Sequence, residues 1–176
     1  MPRVPLAEFE PQLRQRLEEL WGTPPNLYKA LANHPRLVAA WTEFSKAMRH
    51  DTRTPRALRE LVILRGAQLM RSEYEWAQHL AMARKAGVAE AQIQSLSSWR
   101  TSPHFDAREK AALALGEAVT QGSVSDEVYL LAMKQLDHHD YVEIAAVAAF
   151  YAMVGRMLDA MGVPLEPGVR DYSPRL

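Results

Sequence analysis

Proline and glycine in this chain fall where helices begin and end, and between them apolar residues recur at steps of three and four. In NHPRLVAAW, Asn33 can close one helix and Pro35 suits the first turn of the next. In TRTPRALRELVILRGAQLM, Thr54 is expected as the N-cap and Pro55 as the first helical residue. AREKAALALGEAVTQG follows Asp106, which with Glu109 spells a capping box, and it stops at Gly122. DYVEIAAVAAFYAMVGRMLDAMGVP ends on Gly162 and Pro164. Alternation of period two between hairpin turns is nearly missing. Seven to nine helices joined by short polar loops are therefore expected, with Ser97 to Phe105 as the longest irregular connector. Both ends read as extended, and the C-terminal stretch is expected to drape over a surface or a neighbouring subunit. This divides the chain into an N-terminal arm and helix over 1–24, one helical domain over 25–168 and a tail over 169–176.

Composition removes several classes of chemistry. The 176 residues suit one domain with a real core. Lys plus Arg equals Asp plus Glu at 21 each, so no net field recruits nucleic acid or an anionic membrane. There is no cysteine, which excludes disulfides, thiolate metal sites and thiol catalysis. The first twenty residues carry charges throughout and lack the apolar run of a signal peptide. The most apolar stretch, Ile144 to Met153, is short for a bilayer and is soon followed by Arg156 and Asp159. The cytoplasm is the default compartment.

One helix is apolar nearly all round. Leu58, Leu61, Val62 and Leu69 make one stripe, and Ile63, Leu64 and Ala67 make another, so this helix belongs inside. Glu60 lies on the second stripe. A buried carboxylate must find a cation or a hydrogen-bond donor; Arg59 is the near candidate and His79 the chemically interesting one. In the following SEYEWAQH, Ser72, Glu75, His79 and Met82 share a face. Glu75 and His79 form an i,i+4 pair, in which the carboxylate can orient the imidazole for proton transfer near neutral pH. Ser72-x-x-Glu75 is equally a capping box, and both readings of Glu75 stand.

Glu60, eleven intervening residues, SEYEWAQH and then ARKAGV resemble the carboxymuconolactone decarboxylase and alkylhydroperoxidase superfamily, as do NLYKALANHPRLVAAW, RELVILRGAQL and AMGVPLEPG. The peroxidase branch has Glu, eleven residues, Cys-x-x-Cys, three residues and His. Here Glu60 and His79 match, while Ser72 and Glu75 stand in place of the two cysteines. A serine has neither the acidity nor the sulfenic and disulfide chemistry of a peroxidatic thiol. The resemblance implies an all-α, single-domain helical bundle of the carboxymuconolactone decarboxylase-like type, self-associating as a trimer or hexamer. It implies a cofactor-free lyase or isomerase acting on a small carboxylate or lactone. His79 would be the general acid/base, Glu60 its buried partner and Glu75 a second carboxylate. Ser72 would donate to substrate, with Tyr74, Trp76 and Tyr151 as candidates for the pocket wall. The alternative is a scaffold that lost catalysis with its cysteines and acts as a binding or structural oligomer.

Other clusters carry less. In LDHHDYVE the adjacent histidines diverge by about 100° on a helix, so no metal is assigned. Asp137 or Asp140 reads better as an N-cap, with Glu143 completing a box with Asp140. His34 and His104 read as loop or cap residues. Arg49, Arg53, Arg56 and Arg59 form a basic rim able to steer a carboxylate. TPRALRELVILRGAQL and FDAREKAALALGEAVT each place an Arg-Glu pair early in an apolar helix, a weak internal echo. No phosphate loop, dinucleotide fingerprint or nucleophile elbow is present.

Overall fold

The punctuation translates directly into helices. The structure, a computed structural model, describes residues 2–169. Among the described residues it contains α1 (Pro11–Trp21), α2 (Asn26–Leu31), α3 (Pro35–His50), α4 (Arg56–Met70) and α5 (Glu73–Lys85). These are followed by α6 (Glu90–Gln94), a single 3₁₀ turn at Leu96–Ser98, α7 (Ala107–Gln121), α8 (Asp126–Met133) and α9 (His138–Met161), with no strand. The protein is all-α, and its helix number falls inside the expected range. The tail expected over 169–176 lies, beyond Val169, outside the described residues.

The chain divides into two compact units. One runs from Arg53 to Arg156; the other takes in the chain up to Thr52 and again from Met157 to Val169. In this other unit Tyr28 and Ser45 share a buried hydrogen bond of 2.8 Å, and the Asn26 N–H donates to Glu166 Oε1 at 2.7 Å. Leu17, Leu27, Leu31, Val38 and Trp41 are among its buried apolar side chains. His34 caps α3 by accepting from the Leu37 N–H at 3.2 Å.

The unit from Arg53 to Arg156 is built around α4, which packs against α5 and α7. Leu58, Leu61, Val62, Ile63, Leu64 and Ala67 are all buried, as a helix apolar on both faces requires. α7 passes α4 so closely at Gly116 that a Cβ there would stand 2.5 Å from Val62 Cγ1. α4 ends on Arg71 in the left-handed region, φ 55°, with the Ser72 N–H donating to the Ala67 carbonyl at 2.9 Å. This αL turn reverses the chain into α5. The Asp106–Glu109 capping box and the Gly122 stop of α7 form as expected.

Two caps differ from expectation. α4 starts one residue late, at Arg56, because Thr54 turns its hydroxyl and N–H to the Glu143 carboxylate instead of to its own helix. At the start of α9, Asp137 accepts from the Asp140 N–H at 2.9 Å. The expected Asp140–Glu143 box is replaced by longer-range pairing: Asp140 binds Arg53 and Arg108, and Glu143 binds the backbone of Arg53 and Thr54. The apolar stretch at Ile144–Met153 belongs to a helix of 24 residues, long and apolar enough by length and composition to cross a bilayer. Half of its apolar window is buried in the protein, the property of a core helix.

Candidate active site at the α4–α5 hairpin

Glu60 is completely buried, on the stripe of α4 that faces α5. Its Oε2 lies 2.8 Å from His79 Nδ1, and its Oε1 accepts from Arg56 Nε at 2.6 Å. His79 is 5% exposed. Burial alone pushes the Glu60 carboxyl up, but the His79 ring and the Arg56 guanidinium outweigh that cost and hold it below the usual carboxylate range. An ionised Glu60 fixes Nδ1 of His79, leaving Nε2 as the nitrogen able to face a reactant. Tyr151 of α9 meets the imidazole edge-on, with centroids 4.7 Å apart and planes at 86°. Arg56 also reaches Met82 Sδ at 3.7 Å, which places another member of the expected α5 stripe beside the dyad.

Glu75 does not orient His79; Glu60 does. The Glu75 carboxyl, 2% exposed, points at Gly155 of α9, where a Cβ would stand 2.6 Å from Oε2. Glu75 and His79 advance along α5 while their neighbours Gly155 and Tyr151 step backwards along α9, so the two helices run antiparallel here. Neither Glu75 oxygen accepts a geometrically sound hydrogen bond among the described residues, and the expected Ser72–Glu75 capping box does not form. Burial pushes the carboxyl up to about 8, with the Ser72 hydroxyl only partly opposing it. At neutral pH Glu75 is therefore a carboxylic acid, whereas Glu60, beside His79 one turn further along α5, is a carboxylate.

The structure thus brings Glu60, His79 and Tyr151 together and sets Glu75 one helical turn along the same face. Ser72 sits at the start of α5, half-buried, and Tyr74 is buried. Trp76 is seated in the apolar core with Leu61, Leu64 and Leu80. Arg59, the near candidate for Glu60, turns away to the Thr54 carbonyl and to Glu143, 3.7 Å off. Arg56, expected only on the basic rim, stands four residues before Glu60 on one helix, and that spacing is the signal for the pair. Gly155 carries a signal of the same kind, since an isolated glycine inside an apolar helix marks a close approach.

Comparisons with known proteins bear on the fold and the family. The carboxymuconolactone decarboxylase family matches residues 35–118, which include Glu60, Ser72, Glu75 and His79. An uncharacterized protein of Bacillus subtilis (strain 168), YdfG, is 31% identical over 110 residues, covering 61% of this chain and 75% of YdfG. Among solved structures, an uncharacterized peroxidase-related protein from Silicibacter sp. TM1040 superposes with a TM-score of 0.80 at 20% identity, over 94% of this chain and 91% of the other. The debrominase Bmp8, as a cysteine-to-alanine variant in complex with 2,3,4-tribromopyrrole, superposes equally well, TM-score 0.80 at 20% identity, over 92% and 91%. A peroxidase-related protein from Ralstonia eutropha JMP134, an alkylhydroperoxidase AhpD core, gives 0.80 at 20% identity over 94% and 93%. The all-helical fold, the matched segment and the relative in Bacillus together establish that this chain belongs to the carboxymuconolactone decarboxylase family.

Proposed function

We propose that this protein is a cofactor-free acid–base enzyme, a lyase or isomerase, acting on a small carboxylate or lactone. The observation that carries the reading is the buried Glu60–His79 contact of 2.8 Å, backed by Arg56 on the second carboxylate oxygen. A carboxylate held ionised behind one imidazole nitrogen orients the ring and leaves the other nitrogen to face a reactant. Thiol chemistry plays no part in this reading, because the 176 residues contain no cysteine. The peroxidase-related names of the structural relatives are therefore not extended to this chain. The basic side chain nearest the dyad, Arg56, is 29% exposed and suits the carboxylate of a substrate. We further propose a cytoplasmic homo-oligomer, trimeric or hexameric.

The test is turnover in D2O, followed by proton NMR, of a panel of unsaturated γ-lactones with and without a carboxylate substituent. Loss of carbon dioxide or incorporation of deuterium at carbon, abolished in His79→Gln and Glu60→Gln, supports the reading. A second reading, a catalytically inactive binding or structural oligomer, draws on the near-complete burial of both dyad members. Ligand binding without exchange at carbon, undiminished in His79→Gln, would favour it.

A further inference from the structure

Buried side chains nearly always have hydrogen-bond partners, and those without one call for an explanation. Other buried carboxylates in the unit from Arg53 to Arg156 obey the rule. The Glu117 carboxylate takes Trp99 Nε1 at 2.7 Å, Arg65 at 3.1 Å and Arg100 at 3.2 Å, and Glu143 is filled by Thr54 and Arg53. Glu75 breaks the rule with both oxygens. A glycine on the facing helix makes room for it: any side chain at position 155 would fill the space its carboxyl occupies. The atoms sharing that space are Cε and Sδ of Met70, which would lie 2.9 and 3.3 Å from a Cβ on Gly155. Met70 is partly exposed and unbranched, with a terminal thioether that changes rotamer at little cost. The Glu75 carboxyl thus sits in a notch between Gly155 of α9 and the unbranched Met70 side chain at the end of α4.

Resting on the acid–base reading above, we propose that Glu75 is the proton-donating half of the site, that His79 is the accepting half, and that the group bound at Glu75 is a carbonyl oxygen, as in a lactone or enone, in place of the Met70 methyl. A neutral carboxylic acid in an apolar notch donates a hydrogen bond to a carbonyl and disfavours a second anion. The groups placed beside it carry no charge: Ser72 on its own helix, Gly155 on α9 and Met70 at the end of α4, with His79 and its neighbour Tyr151 one turn further along. With the carbonyl on Glu75, the carbon next to it lies towards His79. His79 Nε2 takes the proton from that carbon; the C–H pair becomes a C=C bond, and the carbonyl π pair moves to oxygen. That oxygen takes the Glu75 proton and gives an enol, an imidazolium and a carboxylate. Returning the imidazolium proton to the far end of the unsaturation, and the enol proton to Glu75, moves the double bond with no net change in protons or electrons.

The probes are α-angelica lactone, a β,γ-unsaturated lactone whose double bond can migrate, and 2(5H)-furanone, an unsaturated lactone used as a binding probe. Difference infrared spectra of the full-length protein at pH 7 should show one neutral carboxylic acid band that is missing in Glu75→Gln. Adding 2(5H)-furanone should shift that band in the wild type and in His79→Gln, and acetate should not. With α-angelica lactone, Glu75→Gln should lower kcat by about 10²-fold and remove an alkaline limb near pH 8. Gly155→Ala, which displaces the carboxyl but keeps it, should weaken the furanone response and serves if the glutamine variant does not fold. A missing acid band, or a furanone response indifferent to both substitutions, overturns the proposal. A furanone response that depends on Glu75, with no turnover of α-angelica lactone by the wild type, retains Glu75 as the carbonyl site and refutes the acid–base reading on which the proton transfer rests.

Discussion

Replacing Glu75 by glutamine tests the protonation of the buried carboxyl without any ligand. In the folded protein this group titrates at about 8, against an ordinary value of 4.5. Between those two values the folded state holds a proton that the unfolded chain has released, so stability falls as pH rises across the window and levels off above it. Each pH unit inside the window costs about 1.4 kcal/mol, which makes the protein roughly 3 kcal/mol less stable at pH 7 than at the acid edge on account of this one group. Glutamine keeps the volume and does not titrate, but its amide is also unpartnered there, at a cost of about 1–3 kcal/mol at every pH. The neutral acid is equally unpartnered, so the quantity that tests the reading is the stability difference, which should move by roughly 4 kcal/mol in favour of Glu75→Gln between pH 5 and pH 9. Urea unfolding followed by tryptophan fluorescence, at fixed protein concentration and at five pH values from 5 to 9, measures this. A stability difference that stays flat across that range would show that Glu75 is ionised or hydrated in the folded protein, and the reasoning would fail.

Glu60→Gln removes the charge that Arg56 and His79 share and should cost roughly 2 kcal/mol in the same assay. Gly116→Ala should cost about 1–3 kcal/mol, because its Cβ meets Val62 Cγ1 on the facing helix. Adding Val62→Ala should return less than its own separate penalty, a coupling that a double-mutant cycle reads directly. Arg71→Gly, at the left-handed end of α4, should raise stability by about 0.5–1 kcal/mol, seen as a higher urea midpoint with an unchanged slope.

The elements were legible because their signals are local. Pro35, Asp106, Gly122 and Gly162 act on their own neighbours, and the helices begin and end there. Expectations failed where a polar side chain had a local partner and a distant one. Thr54 had a helix to cap and went to Glu143; Asp140 and Glu143 had each other and went to arginines and backbone elsewhere. Spacing on one helix cannot weigh such competitors, because the distant partner appears only once the helices pack. The site divides the same way. Glu60 with His79 could be anticipated from the spacing shared with a known family, and Arg56 from its i,i+4 position. Glu75 could not, because its surroundings depend on a glycine on α9 whose approach no local pattern encodes.

The αL turn at Arg71 also works as a lever. Glu60 and His79 lie eleven residues before and eight residues after it, about 16 and 12 Å along their helices at the usual rise per residue. A change of only about 5° in the angle between the two arms moves the dyad apart or together by roughly 1 Å, a displacement that can cost about 10²-fold in rate. The turn touches no reacting group, yet its geometry sets the dyad distance. Insertions that surface turns ordinarily absorb should be tolerated by the fold at this one and not by the chemistry.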